Sequence, residues 1–279
     1  MKLISIIIPN YNGSKFIGQT VKQFATGFPD VKIIVVDDKS TDNSVDELRK
    51  LPVELIERDS NGGFAAAVNS GLRYLEPNDE KYVLIANSDI DLEIETAALI
   101  AHSIESCKSN EESDIIGYLE SHLTNISNFN GAKISGFLFA LKTDVPRKIG
   151  YMDEKFFMYG EEQDYFERAL LYGLKITQSG IRVKHRAEKS GKGHATRNSW
   201  LAIRNTIYIE VKNLRLLKAI WKITAIAAIV NCLYIPNRGI DESFGRIKRS
   251  GIVFGNILLI GAIFWNLKEM LYQLKRRIV

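Results

Sequence analysis

Cysteine is scarce: Cys107 and Cys232 are the two in a chain of 279 residues. Two cannot build a disulfide framework, and a reduced cytosolic setting is the default expectation. No signal peptide is expected either, since Lys2 is followed by a short apolar run and then Pro9, which reads as a first strand. There is no internal repeat and no low-complexity tract. The basic residues lack an interleaved aromatic groove, which argues against nucleic-acid binding. Clean apolar runs of the roughly 20 residues needed to span a bilayer are missing. Residues 214–235 are interrupted by Lys218, Lys222 and Asn231, and the shorter run 252–267 includes Asn256.

What is present is a globular composition, 46% hydrophobic and 25% charged. The length fits one large domain, or a domain with an appendage. A net charge of +4 hides an asymmetry. From Lys212 onward there are 12 basic and 3 acidic residues, against 25 basic and 30 acidic before it. An acidic body with a basic, apolar tail predicts an anionic surface for the tail, a membrane foremost.

Residues 3–8 form a continuous β-branched run, as in a strand buried on both faces. The turn Pro9-Asn10-Tyr11-Asn12-Gly13 follows, and Ser14 is placed to cap a helix over 15–26. Further strands are expected over 31–36, 53–57 and 81–86, with helices from about 44 to 50 and over 64–75. This alternation predicts an α/β fold with a mainly parallel central sheet. Short strands and turns are expected over 114–141, a helix over 164–172 and a strand over 176–185.

Three acidic stations stand out: Asp37-Asp38 after one strand, Asn87-Ser88-Asp89 after another, and Glu161-Glu162-Gln163-Asp164 after an aromatic run. Ligands of open α/β sheets bind outside the carboxyl ends of the strands. Carboxylates there can hold a base, a divalent cation on a diphosphate, and a reacting hydroxyl in one crevice.

The segments SIIIPNYNG, IIVVDDKSTDNS, NGGFAAAVNSGL, VLIANSDI, ISGFLFALK, FFMYGEEQDYFERA and VKHRAEKSG together resemble the inverting family 2 glycosyltransferases of the GT-A fold. The pairing of VVDD-x-S-x-D-x-S with GEEQD is the specific part. The variant with Asn87 opening its station is similar to bacterial enzymes that build rhamnose- or galactofuranose-containing surface polysaccharides. The resemblance implies a GT-A domain over 1–205, and the composition of the rest gives a basic, apolar helical region over 206–279 expected to associate with a membrane or dimerise.

Site by site, Pro9 and Tyr11 border the donor base, with Tyr11 either stacked on it or packed on the sheet edge. The resemblance puts Asp38 on the base, while Asp37 serves the ribose or the fold and Asp42 caps the next helix. Asn61, Gly62 and Gly63 precede a helix, so they bind phosphate or form a plain turn. Gly71 and the alanines at 65–67 allow close helix–sheet packing. Asn87 and Ser88 lie at the donor, and Asp89 matches the position that binds Mg²⁺ or Mn²⁺, with Asp91 as a substitute or the start of a helix. The family pattern often has Asp where Asn87 stands, which removes one charge. His185 either joins the metal or is structural. On the family match Glu162 is the base that takes the acceptor proton, with Asp164 second and Glu161 beside them. Lys189, Lys192, Arg197 and Arg204 are candidates for the diphosphate. The stretch 190–194 is a candidate lid, and Gly136 either admits the acceptor or forms a bulge.

The leading expectation is therefore metal-assisted transfer of a sugar from a UDP- or dTDP-sugar to a hydroxyl of a lipid-linked saccharide. It would take place at the inner face of the plasma membrane, with a homodimer possible. The alternatives are a binding or scaffold subunit of the same fold and, lower, a sugar-1-phosphate nucleotidyltransferase. The latter wants a Gly-rich basic loop after the first strand, and residues 9–13 are not one.

Overall fold

The computed structural model describes residues 3–75, 81–106, 113–121, 128–129, 132–133, 136–186, 195–213, 215–230 and 252–278. The chain forms two compact units, Met1–Phe157 with Glu161–Glu188, and Met158–Gly160 with Lys189–Val279.

The first unit runs β1 (Leu3–Asn10), α1 (Ile17–Gly27), β2 (Lys32–Asp37), α2 (Ser44–Leu48), β3 (Glu54–Glu57), α3 (Phe64–Tyr74), β4 (Tyr82–Ala86), β5 (Ile90–Asp91) and α4 (Ile94–Glu105). It continues with β6 (Ile115–Glu120), β7 (Asn128–Phe129), β8 (Ala132–Lys133), β9 (Leu138–Lys142), α5 (Val145–Ile149), α6 (Glu161–Leu171) and β10 (Ile176–His185). Eight strands form one sheet in the order β3-β2-β1-β4-β9-β6-β10-β5. The pairs β3–β2, β2–β1, β1–β4 and β6–β10 are parallel, while β9 and β5 run antiparallel to their neighbours. The strand order reverses direction at β1, so the crevice between the ends of β1 and β4 is the natural ligand position.

The β-branched runs explain the sheet. Alternate residues of a strand face opposite sides. Ile6, Ile8, Val35 and Leu84 pack with α1 and α4 on one side, and Ile7, Ile34, Val36, Val83 and Ile85 pack with α3 and α6 on the other. Gly71 brings α3 close to β1, because a Cβ there would lie 2.8 Å from an Ile7 methyl. The expected cap at Ser14 is not formed. Phe16 precedes α1 without a side-chain cap, and the Ser14 N–H donates instead to Asp42 Oδ2 at 2.9 Å. Asp42 accepts from the Ser44 N–H as well, so it ties the start of α2 to the first turn.

The second unit contains α7 (Ala195–Lys212), α8 (Leu216–Val230) and α9 (Ile252–Ile278). Ile203, Ile207, Val211, Ala219, Ile226, Leu258, Leu259 and Ala262 form its core. Lys222 reaches buried Glu210 at 2.7 Å and joins α8 to α7. Among the described residues no helix is long and apolar enough to cross a membrane. Large apolar side chains nevertheless lie exposed along α8 and α9.

Candidate active site

The first station is closed by its own protein. Asp37 accepts from Asn10 Nδ2 at 2.8 Å, Ser40 Oγ at 2.6 Å and the Ser40 N–H at 2.9 Å. Asp38 accepts from Arg58 Nη1 at 2.6 Å, the Gly62 N–H at 3.0 Å and the Gly63 N–H at 2.7 Å. Both carboxylates are buried, and each meets three donors. The amides of the 61–63 turn are thus engaged by Asp38, and the Asn61 side chain also accepts from the Gly63 N–H. Tyr11, just past the end of β1, is exposed.

Gly63 carries this turn toward the third station. Its φ of +84° favours glycine, and a Cβ would lie 2.0 Å from the Phe157 carbonyl oxygen. That carbonyl accepts from the Phe64 N–H, the first residue of α3. Phe157 and Tyr159 have positive φ, as do Asn12 and Lys39. These four non-glycine residues, all among the described ones, sit in loops beside the stations, and such backbone costs about 1–3 kcal/mol each. Its persistence requires ties. Asn69 of α3 donates to the Met152 carbonyl at 2.9 Å and accepts from its N–H at 3.0 Å. Arg168 of α6 donates to the carbonyls of Ile149 and Tyr151. In the helical unit, Asn205 donates to the carbonyls of Met158 and Tyr159.

The third station begins α6, which starts three residues earlier than expected, after Gly160 with φ +90°. Three carboxylates in a first helical turn suit the positive end of the helix dipole. Their environments differ. Asp164 is fully buried and pairs with Arg168 at 3.1 Å, a scaffolding arrangement. Glu161 is 5% exposed, and among the described residues its Oε2 has no hydrogen-bond partner. Burial, and then the charge of Glu162, push the Glu161 carboxyl well above the usual range. Glu162 is half-buried and lies against Gly136, where a Cβ would fall 2.5 Å from its Cγ. The space glycine leaves at 136 is therefore filled by Glu162.

The second station lies one residue away from that contact. The Phe137 carbonyl accepts from the Asn87 N–H, and the Phe137 ring stacks on His185 with centroids 5.5 Å apart. Asp89 Oδ1 is 2.7 Å from His185 Nε2, and Glu120 Oε1 is 3.2 Å from Nδ1. Burial alone would lower the His185 pKa, but Asp89 and Glu120 outweigh it and raise it. Ser88 neighbours the first turn, since a Cβ on Gly13 would be 3.6 Å from its Oγ. Asp91 does not start a helix. It lies in β5, bound to Gln23 and Arg186, which lower its pKa in that order despite burial.

A cation fits Asp89 and His185 by donor chemistry, one carboxylate oxygen and one imidazole nitrogen at adjacent strand ends. Among the described residues no group of three or more His, Cys, Asp or Glu gathers as a ligand set. Two such ligands would leave the remaining positions to diphosphate oxygens and water, as is usual for Mg²⁺.

Arg204 sits in the helical unit with its guanidinium between the Trp200 and Trp265 rings, 5.1 and 4.5 Å from their centroids. It is buried, and this packing gives no support to a diphosphate role. Arg197 is exposed on α7. Lys189, Lys192 and the stretch 190–194 lie outside the described residues. Sequence reasoning missed Glu120, Arg58, Phe137, Asn69 and Asn205. Glu120 and Arg58 were findable, because each closes or follows an apolar strand as the stations do.

The sequence model described as "Glycosyl transferase family 2" matches residues 5–160. Over 94 residues the chain is 31% identical to the glycosyltransferase GlyG of Streptococcus pneumoniae, a match that takes in 32% of this chain and 30% of that protein. The chain thus matches under a third of that curated relative's length. Among solved structures it is similar to the mannosyltransferase PcManGT of Pyrobaculum calidifontis, in complex with GDP-Man and Mn²⁺. The TM-score is 0.60 at 16% identity, covering 95% of this chain and 87% of that one. It is also similar to the Mycobacterium tuberculosis glucosyl-3-phosphoglycerate synthase in complex with Mn²⁺, UDP-glucose and phosphoglyceric acid. There the TM-score is 0.52 at 14% identity, covering 74% and 78%. With more than half its length matched by the family, and the fold shared with these structures, the chain belongs to glycosyl transferase family 2 and has the GT-A fold.

Proposed function

We propose that the protein is an inverting glycosyltransferase that moves a sugar from a UDP- or dTDP-sugar to a hydroxyl of a lipid-linked saccharide in surface polysaccharide synthesis. The observation that carries this is the segment Gly136-Phe137, which touches Glu162 on one side and Asn87 and His185 on the other. A base and a cation site so joined suit a single displacement at an anomeric carbon. Glu162 accepts the acceptor proton, and buried Glu161 keeps its own. Asp89 and His185 hold Mg²⁺ or Mn²⁺, which neutralises charge on the departing diphosphate. Tyr11 offers a face to the nucleobase, beside Pro9, Asn87 and Ser88. Asp38 serves this site indirectly, by holding Arg58 and the amides of Gly62 and Gly63. The reading predicts Mn²⁺-dependent turnover of one UDP- or dTDP-sugar from a panel that includes GDP-sugars. A folded sample that turns over no donor would contradict it and favour the scaffold reading.

The acceptor side of this reading is a membrane surface, at the cytoplasmic face of the plasma membrane. Ile257, Ile260, Phe264, Leu267 and Leu271 repeat along the exposed side of α9, with Leu217, Ile220 and Trp221 exposed on α8. Such side chains gain about 1.5–3 kcal/mol each on burial. The 12 basic and 3 acidic residues from Lys212 onward favour anionic lipid over a second, equally basic copy. Sedimentation with phosphatidylglycerol vesicles should exceed that with phosphatidylcholine, and Phe264→Asp with Leu267→Asp should abolish it. Equal sedimentation of both proteins would contradict the assignment.

A further inference from the structure

We infer that Glu120 is a positioning residue for His185, holding the Nδ1 side of the imidazole so that Nε2 is free for a divalent cation. This rests on the metal reading of Asp89 and His185 given above. β6 ends on Glu120 and β10 ends on His185, and the parallel register sets Val183 opposite Glu120. Both strand ends therefore reach the same rim of the sheet. Three further segments then enclose one ring. Asp89 lies 2.7 Å from Nε2, Glu120 lies 3.2 Å from Nδ1, and Phe137 covers a face.

The two ring nitrogens point away from each other. A cation on Nε2 is out of reach of the Glu120 oxygen that faces Nδ1, so Glu120 is not a third ligand. A neutral imidazole carries one proton, on either nitrogen. With Asp89 as its sole carboxylate partner, the ring would keep that proton on Nε2 and close this nitrogen to metal. Glu120 supplies a place for the proton on Nδ1, and the stacked Phe137 opposes ring rotation. A carboxylate on the far nitrogen of a metal-bound histidine fixes its tautomer and orientation, and losing such a partner weakens metal binding about 10–100-fold. The side chain of Glu120 is 12% exposed, a costly position for an acid without a partner.

The test is Mn²⁺ affinity in the presence of UDP, read from the electron paramagnetic resonance of free Mn²⁺. The full-length wild type is compared with Glu120→Gln, Glu120→Ala and His185→Ala, and thermal melting checks each fold. Glu120→Ala should bind Mn²⁺ about 100-fold more weakly, and Glu120→Gln, which keeps an acceptor oxygen, about tenfold more weakly. A merely structural role would lower the melting temperature and leave the affinity of the folded fraction unchanged. Should Glu120→Ala fail to fold, the Gln variant decides. Wild-type affinity in the folded Glu120 variants, with a loss in His185→Ala, would overturn this inference alone. No Mn²⁺ binding by the wild type would overturn the metal reading, and this inference with it.

Discussion

Asp37 and Asp38 of the first acidic station and Glu161 of the third are similarly hidden from water and oppositely treated by the protein. Asp37 and Asp38 are each 3% exposed and Glu161 is 5% exposed. Around the aspartates, six hydrogen bonds come from Asn10, Ser40, Arg58, Gly62 and Gly63. Around Glu161, Oε2 meets no donor among the described residues. Burial therefore does not decide what a carboxylate does. Partners decide, because a buried charge is tolerated when paired and drives its own neutralisation when not. The first station holds backbone in place, and the third sets a carboxyl whose pKa is raised beside Glu162.

The largest effect expected from this contrast is at Asp38. Asp38→Ala leaves Arg58 without its partner and the Gly62 amide without an acceptor, at a cost of about 3–5 kcal/mol. The exposed pair Lys184–Glu93 contributes far less by comparison, because water and salt screen it. Urea unfolding measures both, and a loss at Asp38 no larger than at the exposed pair would break the comparison.

A smaller, pH-dependent effect sharpens it. The Glu161 pKa is raised in the fold, by burial first and the Glu162 charge second. The stability such a group contributes is fully present below the unfolded glutamate value of about 4.3, and is lost as pH rises through the folded value. Glu161→Gln has no charge to bury. Its melting temperature should therefore gain on that of the wild type as pH is raised from 4 to 8. A difference that stays constant with pH would show that Glu161 carries no burial penalty.

Much of the fold was legible because its strands are doubly buried. The uninterrupted Ile and Val runs of β1 and β2, and the apolar β4, have no solvent side to alternate with. β10 matched its expected bounds, Ile176–His185. The acidic stations were legible for a related reason, since an acid that ends an apolar strand needs an explanation. What stayed hidden depends on register and long-range packing. Nothing local says that Val183 faces Glu120, or that Phe137 lies over His185. The start of α6 was placed late because the left-handed Gly160, which turns Glu161 and Glu162 into the helix, is a backbone event. The closeness of Gly136 to Glu162 stayed hidden for the same reason.

Donor turnover by Glu162→Gln, with Mn²⁺ and saturating sugar nucleotide, tests the central claim most directly. The account predicts that turnover falls about 10²–10⁴-fold, the usual contribution of a positioned base, while donor binding by calorimetry stays at the wild-type value. Wild-type turnover in this variant would contradict the assignment of Glu162 and the contrast drawn from it.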